Sequence, residues 1–478
     1  MKEPGKESIF KGTSSQIVAV LICTFSAISD GMQYAWTAPV VPILRGPDSP
    51  LPITEDEAGW LEKIYLIGGI CGLPVTMLLV DRIGRKRTLM CAATSSLTGW
   101  VLIAAANRIE YLYVARFCTG LAQDVAFVSA PMYVAEVAEQ KIRGFLAGVM
   151  SLMQLFGILV IYIAAPYGSF FTSAIIGCVN LAMQLIGFNF IPESPYFLLS
   201  VGKNEEAKKA LLRLRGAENV DKEMADITKA VQRQNAEPGR LQDLILVKSN
   251  RKAIIIMAIL NASQHFSSLT VMLMNLHSIL EAGKSVYLPP VESAIVFAAS
   301  MLLACFFAGF FIDKYGRKVL LTFSCICSSL VVLALAIYFT LQRQGVDVTG
   351  ASWIPTVSVM VYAAVFRTGL GIIPLVLTSE IFPTKLKAFG MTVSDAIYLS
   401  CGIISLEVYQ VLGDNYGLDV PFYVFSLCSL LAAGFCLFYI PETKGKSLEE
   451  IQFMLKGEPY PHKDNKGNEN ASFEDSHL

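Results

Sequence analysis

Two short stretches of this chain carry the residue types of an ionic clasp. Asp81-Arg-Ile-Gly-Arg-Lys86 and Asp313-Lys-Tyr-Gly-Arg-Lys318 place a carboxylate, a Gly and a guanidinium in the same order. Arg presents a fork that can hold a carboxylate by two hydrogen bonds, and Gly lets the chain turn sharply between helices. Partner carboxylates recur as well. Glu136 is followed seven residues on by Arg143, and Glu380 seven residues on by Lys387. Asp81, Arg85, Glu136 and Arg143 are therefore expected to pair in one half of the chain, and Asp313, Arg317, Glu380 and Lys387 in the other. A second set stands apart: Asp30, Asp124, His265 and Arg367 each lie inside an apolar stretch. A charge there costs several kcal/mol unless paired or hydrated. Arg367 could pair with Asp124 or Asp30 and fix the packing, or bind an anionic or strongly polar solute. Asp30 or Asp124 could instead take up a proton. His265 reads as a neutral, hydrogen-bonded histidine or as a proton relay. No nucleophile, metal-ligand set, P-loop or other cofactor loop stands out, so neither an enzyme, a metal nor a cofactor is expected.

The elements that must position these residues follow from composition. Of 478 residues, 54% are hydrophobic and 16% charged, against roughly 25% charged in soluble domains; mean hydropathy is +0.53. Too few charges remain to cover a water-facing surface, and the chain reads as an integral membrane protein. A net charge of −1 gives no general attraction to nucleic acid. Apolar runs last about twenty residues, the length of a membrane-crossing helix, and lack the alternation of barrel strands. Twelve spans are read, at residues 16–40, 59–80, 88–106, 111–134, 145–165, 170–191, 253–280, 293–312, 319–341, 353–382, 389–412 and 422–440. Basic residues gather at 82–87, 141–143, 314–318, 385–387 and 444–446, which by the positive-inside rule places both termini in the cytoplasm.

The expected organisation is a short N-terminus (1–15), a six-helix bundle (16–191), a polar cytoplasmic loop with short helices (192–252), a second bundle (253–440) and a cytoplasmic C-terminal segment with a disordered tail (441–478). All eleven cysteines fall within spans and read as small buried apolar side chains. The sequons at Asn261 and Asn470 are expected to stay unmodified, one inside a span and one in the tail. The two halves repeat their clasp motifs at matching span ends, together with Pro192-Glu-Ser-Pro195 after span 6 and Pro441-Glu-Thr443 after span 12.

These motifs, with Arg116-Phe117, Pro131-x-Tyr133-x-x-Glu136, Glu380-Ile-Phe-Pro383 and Pro441-Glu-Thr-Lys-Gly445, resemble the sugar porter family of the major facilitator superfamily. The pattern around Trp36, Thr37, Pro39 and Pro52-Ile-Thr54 is similar to the insect trehalose-transporter branch. The resemblance implies an all-α membrane protein, with twelve helices in two pseudo-symmetric six-helix bundles around a cavity lined mainly by spans 1, 4, 7 and 10. It also implies a plasma-membrane carrier moving a sugar, a hexose or a disaccharide, by alternating access. An organic-anion or polyol carrier, a proton-coupled symporter and a non-transporting sensor are the alternatives. The expected partners are a small-molecule substrate and the lipid bilayer; the oligomeric state is left open.

Carried over position by position, the family's sugar site is thinner here. Span 5 offers Ser151 with Gln154 one turn on, and the span 7 amide pair reads Ser263-Gln264. A span 8 Asn is Met301, and the span 10 Trp is replaced in Gly371-Ile-Ile-Pro374-Leu375. Asp124 stands where a Gly is usual. It lies twelve residues from Glu136, and Arg367 thirteen from Glu380, so each would sit roughly 18–20 Å into the membrane. The Gly expected before Asp81 is Met77, and a Pro expected after Glu136 is Glu139. The candidate cavity residues are thus Gln264, Ser263, Ser151, Gln154, Asp30, Asp124, His265 and Arg367.

Overall fold

The structure is a computed structural model that describes residues 7–456, apart from 48, 140–141, 217–219, 237–241, 383–385, 445 and 447. The tail 457–478, with Asn470, lies outside the described residues. The first bundle comprises α1 (Glu7–Tyr34), α2 (Thr37–Arg45), α3 (Glu55–Ile83), α4 (Arg85–Ala104), α5 (Ile109–Val137), α6 (Arg143–Tyr167) and α7 (Phe170–Gly187). Four short helices follow: α8 (Pro195–Ser200), α9 (Asn204–Arg215), α10 (Asp221–Ala236) and α11 (Asp243–Leu246). The second bundle holds α12 (Lys248–Phe266), α13 (Leu269–Gly283), α14 (Pro290–Tyr315), α15 (Arg317–Arg343), α16 (Trp353–Thr368), α17 (Ile373–Ile381), α18 (Lys387–Tyr416) and α19 (Asp419–Tyr439), with α20 (Leu448–Lys456) after it.

Among the described residues, ten helical segments are long and apolar enough to cross a membrane. Two more, α4 and α5, pack among them although α5 carries the buried polar residues Arg116, Gln123, Asp124 and Ser129. Long apolar side chains such as Leu303, Phe306, Leu431 and Phe438 stay exposed on the outside, as a bilayer-facing surface requires. Cys23, Cys305, Cys325 and Cys436 are buried as expected, whereas Cys71 and Cys91 are exposed; a helix face turned to lipid tolerates a small thiol as readily as a core does.

Three spans expected to be continuous are broken. Span 1 divides between α1 and α2, span 7 between α12 and α13, and span 10 between α16 and α17. Local chemistry explains two of the breaks. Ser268 takes a left-handed φ of 79°, which ends α12. Around span 10, Gly369 and Gly371 precede Pro374, which lacks a donor N–H. The backbone groups freed there find side-chain partners, as a break at membrane depth demands. Gln264 Nε2 donates to the Leu370 carbonyl at 2.6 Å, the Tyr362 hydroxyl to the Ser267 carbonyl at 2.7 Å, and the Leu370 N–H to Ser324 Oγ at 3.1 Å.

Between the bundles, α8, α9 and α10 share a small core of Leu198, Ala207, Leu211, Val220 and Ile227. This group docks on the first bundle: Arg215 Nη1 donates to the Val137 carbonyl at 2.9 Å, and Gln16 Nε2 to the Leu214 carbonyl at 3.3 Å. The unusual Glu139 belongs to the same junction. Its N–H donates to Gln16 Oε1 at 2.9 Å, a bond that Pro could not make. The bundles themselves meet along α2 with α13, α3 with α18, and α6 with α14.

Candidate functional site

At the face where α1 begins and the short helices lie, each bundle carries one clasp. Gly84 and Gly316 adopt φ of 96° and 86°, turning α3 into α4 and α14 into α15. A Cβ on either would meet a glutamate oxygen at 2.6 Å, Glu193 Oε2 in the first bundle and Glu442 Oε2 in the second. Those carboxylates occupy the space that glycine leaves, and they cap the N-termini of the next helices. Glu193 Oε1 accepts from the Lys86 N–H at 2.9 Å, and Glu442 accepts from the N–H groups of Arg317 and Lys318 at 3.0 Å. A negative charge at a helix N-terminus meets unpaired donors and the positive end of the dipole. Burial pushes the Glu442 carboxyl up, but the N–H donors of Arg317, Lys444 and Lys318 outweigh it and leave the group below its ordinary value.

The ion pairs lie beside these caps. Arg85 Nη2 is 3.0 Å from Glu136 Oε1, and Arg317 Nη2 is 3.0 Å from Glu380 Oε1. The other carboxylate oxygen is held by a hydroxyl in both cases, that of Ser194 in the first bundle and of Thr443 in the second. Asp81 is a peripheral member, exposed and 3.7 Å from Arg85. The side chains of Arg143, Asp313 and Lys387 lie outside the described residues. Both described pairs stay within one bundle.

A cavity of about 150 Å³ lies between the bundles at mid-depth. Ser151, Gln154, Asp124, Gln264 and Arg367 line it. The other three expected cavity residues do not. Ser263 Oγ turns back to donate to the Ile259 carbonyl at 2.6 Å, satisfying itself within α12. Asp30 is buried inside the first bundle, where it feels the Tyr65 side chain of α3. His265 is fully buried behind the wall, its Nδ1 2.6 Å from Thr270 Oγ1 and its ring 4.2 Å from that of Tyr398. His265 directly follows Gln264 on α12, and the helical advance of about 100° per residue turns it off the face that Gln264 presents to the cavity.

Several lining residues escaped the sequence reading. Tyr34, Gln123, Asn261, Asp395 and Tyr398 also face the cavity. Asp395 carried a usable signal, as a lone carboxylate in the apolar run 389–412. The lone charges expected at the cavity lie on spans 1, 4, 7 and 10, and Asp395 stands on the eleventh. Asn261 donates to the Ser394 carbonyl at 2.7 Å, so the sequon side chain is engaged inside the second bundle. Arg367 forms no ion pair with Asp30 or Asp124 among the described residues; its Nη1 donates to the Gly371 carbonyl at 3.2 Å.

Between the cavity and the face opposite the termini, polar contacts tie the bundles together. The Tyr34 hydroxyl lies 3.1 Å from Thr270 Oγ1, Thr37 Oγ1 donates to the Met274 carbonyl at 3.2 Å, and the Tyr162 hydroxyl donates to the Leu273 carbonyl at 2.9 Å. Asn275 donates to the buried Glu62 at 3.2 Å, and Lys63 pairs with Glu407. Arg116, fully buried beneath them, donates to the Leu61 carbonyl at 3.0 Å and to the Gln33 carbonyl at 2.6 Å.

Known proteins resemble this chain in sequence and in fold. A mosquito relative, the facilitated trehalose transporter Tret1 of Culex quinquefasciatus, is 29% identical over 462 residues, covering 95% of this chain and 88% of its own. The protein of the same name from Aedes aegypti is 28% identical over 447 residues, covering 93% of this chain, which spans only 55% of its length. Among solved structures, that of the proton:xylose symporter XylE bound to 6-bromo-6-deoxy-D-glucose superposes with a TM-score of 0.74 at 22% identity, covering 93% of this chain and 100% of that one; XylE comes from E. coli. The sequence pattern that defines the family described as "Sugar (and other) transporter" matches residues 18–455. That match, over nearly the whole of a helical membrane protein, settles the grouping: the chain belongs to the sugar (and other) transporter family.

Proposed function

We propose that the chain is a facilitative carrier that moves a sugar across the plasma membrane by alternating access, with the face bearing its termini in the cytoplasm. One observation carries the reading: a mid-depth cavity walled by both bundles, with Ser151, Gln154, Gln123 and Gln264 among its polar groups. Sugar hydroxyls stripped of water need such neutral hydrogen-bonding partners. The mosquito relatives named as facilitated trehalose transporters support the cargo class, and the basic residues at 82–87 and 314–318 support the orientation.

A cavity of about 150 Å³ matches the engineered ones that admit a benzene ring. In this conformation it suits one six-membered sugar ring; a disaccharide such as trehalose needs a wider state. Ser151, Gln154, Gln264, Asp124 and Arg367 act as the cargo contacts in this reading. The clasps Arg85–Glu136 and Arg317–Glu380 keep the ends of each bundle rigid, so that the bundles rock as bodies. A second reading, a polyol or organic-anion carrier, is favoured by Arg367, whose buried Nε has no partner.

Reconstituted protein should equilibrate labelled glucose or trehalose into vesicles, saturably and without accumulation. Accumulation driven by an acid-outside gradient would overturn the facilitative assignment, and uptake of an organic acid with no sugar uptake would favour the second reading.

A further inference from the structure

Three charged side chains from three helices meet at the central cavity. Asp124 reaches it from α5 in the first bundle; Arg367 from α16 and Asp395 from α18 reach it in the second. Among the described residues no ion pair joins any of them to a counter-charge. Asp124 Oδ2 accepts from the Thr76 hydroxyl at 3.0 Å, and Arg367 Nη1 is spent on the Gly371 carbonyl. Two further atoms are stranded: Asp395 Oδ2 and Arg367 Nε are both buried without a hydrogen-bond partner. Gln123 Oε1, on the same wall, is equally buried and unpartnered.

Two carboxyl groups face one guanidinium, so with both ionised the wall carries one negative charge in excess. Taking an uncompensated charge out of water is costly, and an ionisable group at membrane depth points to a functional site. An anionic cargo would satisfy Arg367 but deepen the excess. A neutral sugar would leave it as it is. A cargo with one positive group and several hydroxyls satisfies every stranded atom, because its ammonium donates to the carboxylates, its hydroxyl oxygens accept from Arg367, and a hydroxyl donates to Gln123.

We propose that the cavity selects a hydroxylated organic cation, an amino sugar being the simplest example, with its ammonium group between Asp124 and Asp395. This deepens the carrier reading of the same cavity and rests on it. It also links binding to motion. The two carboxylates belong to different bundles, so a cation between them draws the bundles together. A ligand shifts such an equilibrium only by its differential affinity for the two states, and here the differential is the cation bridge.

The test uses the full chain in proteoliposomes, with labelled D-glucosamine and labelled D-glucose in mildly acidic buffer that keeps the amine protonated. A potassium diffusion potential, negative inside, is set with valinomycin. Glucosamine uptake is expected to exceed glucose uptake by about tenfold, as one charge-assisted hydrogen bond implies, and to accelerate with the potential. Asp395→Asn and Asp124→Asn should each lower the glucosamine-to-glucose ratio by about tenfold, with thermal unfolding confirming that each variant is folded. For a variant that fails to fold, competition on the wild type replaces it: N-acetylglucosamine keeps the ring but loses the charge, and should compete about tenfold less well than glucosamine. Glucose uptake equal to that of glucosamine, with N-acetylglucosamine competing equally, would overturn the cation proposal and leave the sugar carrier standing. Absence of uptake for glucose, trehalose and glucosamine alike would overturn the carrier reading and this proposal with it.

Discussion

The clasps and the cavity are built on opposite plans. Each clasp appears twice, once per bundle, with the same parts in the same places: a left-handed Gly, a glutamate capping the next helix, and an Arg–Glu pair steadied by a hydroxyl. The cavity appears once, and its charges do not match across the halves: one carboxylate from the first bundle faces a carboxylate and a guanidinium from the second. Repetition marks the part that must only hold shape, since rigidity makes the same demand on either bundle. Asymmetry suits the part that meets a cargo in the proposed carrier, because a small solute presents different groups to its two walls.

The largest effects should test whether the clasps are equivalent. Arg85→Ala and Arg317→Ala each strand a largely buried glutamate and should cost about 3 kcal/mol, read as a fall in the unfolding midpoint of the purified protein. Losses differing by more than about 1.4 kcal/mol, a factor of ten in the folding equilibrium, would break the symmetry between the halves. Next comes the cavity wall. Gln264→Ala leaves the Leu370 carbonyl without its 2.6 Å partner and should cost about 1–3 kcal/mol, with a weaker apparent sugar affinity in uptake assays. Full stability after that change would mean the span 10 break needs no side-chain support.

Gly316→Ala forces an L-residue into a left-handed turn and crowds Glu442. A loss of about 1–2 kcal/mol is expected, and Gly84→Ala should match it. Smaller still is Glu442→Gln. The donors of Arg317, Lys444 and Lys318 hold this carboxyl below its ordinary value of 4.5 against the upward push of burial. Its contribution is therefore fully present above the unfolded pKa and is lost as pH falls through the lower folded value. At neutral pH the variant should lose about 0.5 kcal/mol after solvent screening, and the gap from wild type should close in acid below the ordinary value. A gap that widened in acid would reverse the assigned sign. Ser263→Ala should do least, under about 0.5 kcal/mol, with uptake unchanged, because its hydroxyl bonds only its own helix. A strong loss of uptake would put Ser263 in the cavity after all.

The clasps were readable in the sequence because each rests on short-range rules. Gly84 and Arg85 are neighbours, Glu136 closes its helix, and the motif recurs in the second half. What the motifs could not disclose is that Pro192-Glu-Ser and Pro441-Glu-Thr supply the cap and the hydroxyl, since Glu193 lies 107 residues from Lys86. The candidate cavity was legible only in part. Asp124 and Arg367 were found because a lone charge in an apolar span is conspicuous, whereas Asp395 was passed over with its helix. Asp30 and His265 carried the same signal yet face inward to their own bundle.

The amino-acid order alone determined that the chain crosses a membrane many times and where its ionic clasps fall. Those properties depend on hydropathy summed over about twenty residues and on charges a few positions apart. Only the tertiary structure decided which of the buried charges share one cavity and which are spent elsewhere. Helix breaks such as the left-handed Ser268 reset the facing of every side chain beyond them, and the meeting of Asp124 with Asp395 depends on how two separate bundles come to rest against each other.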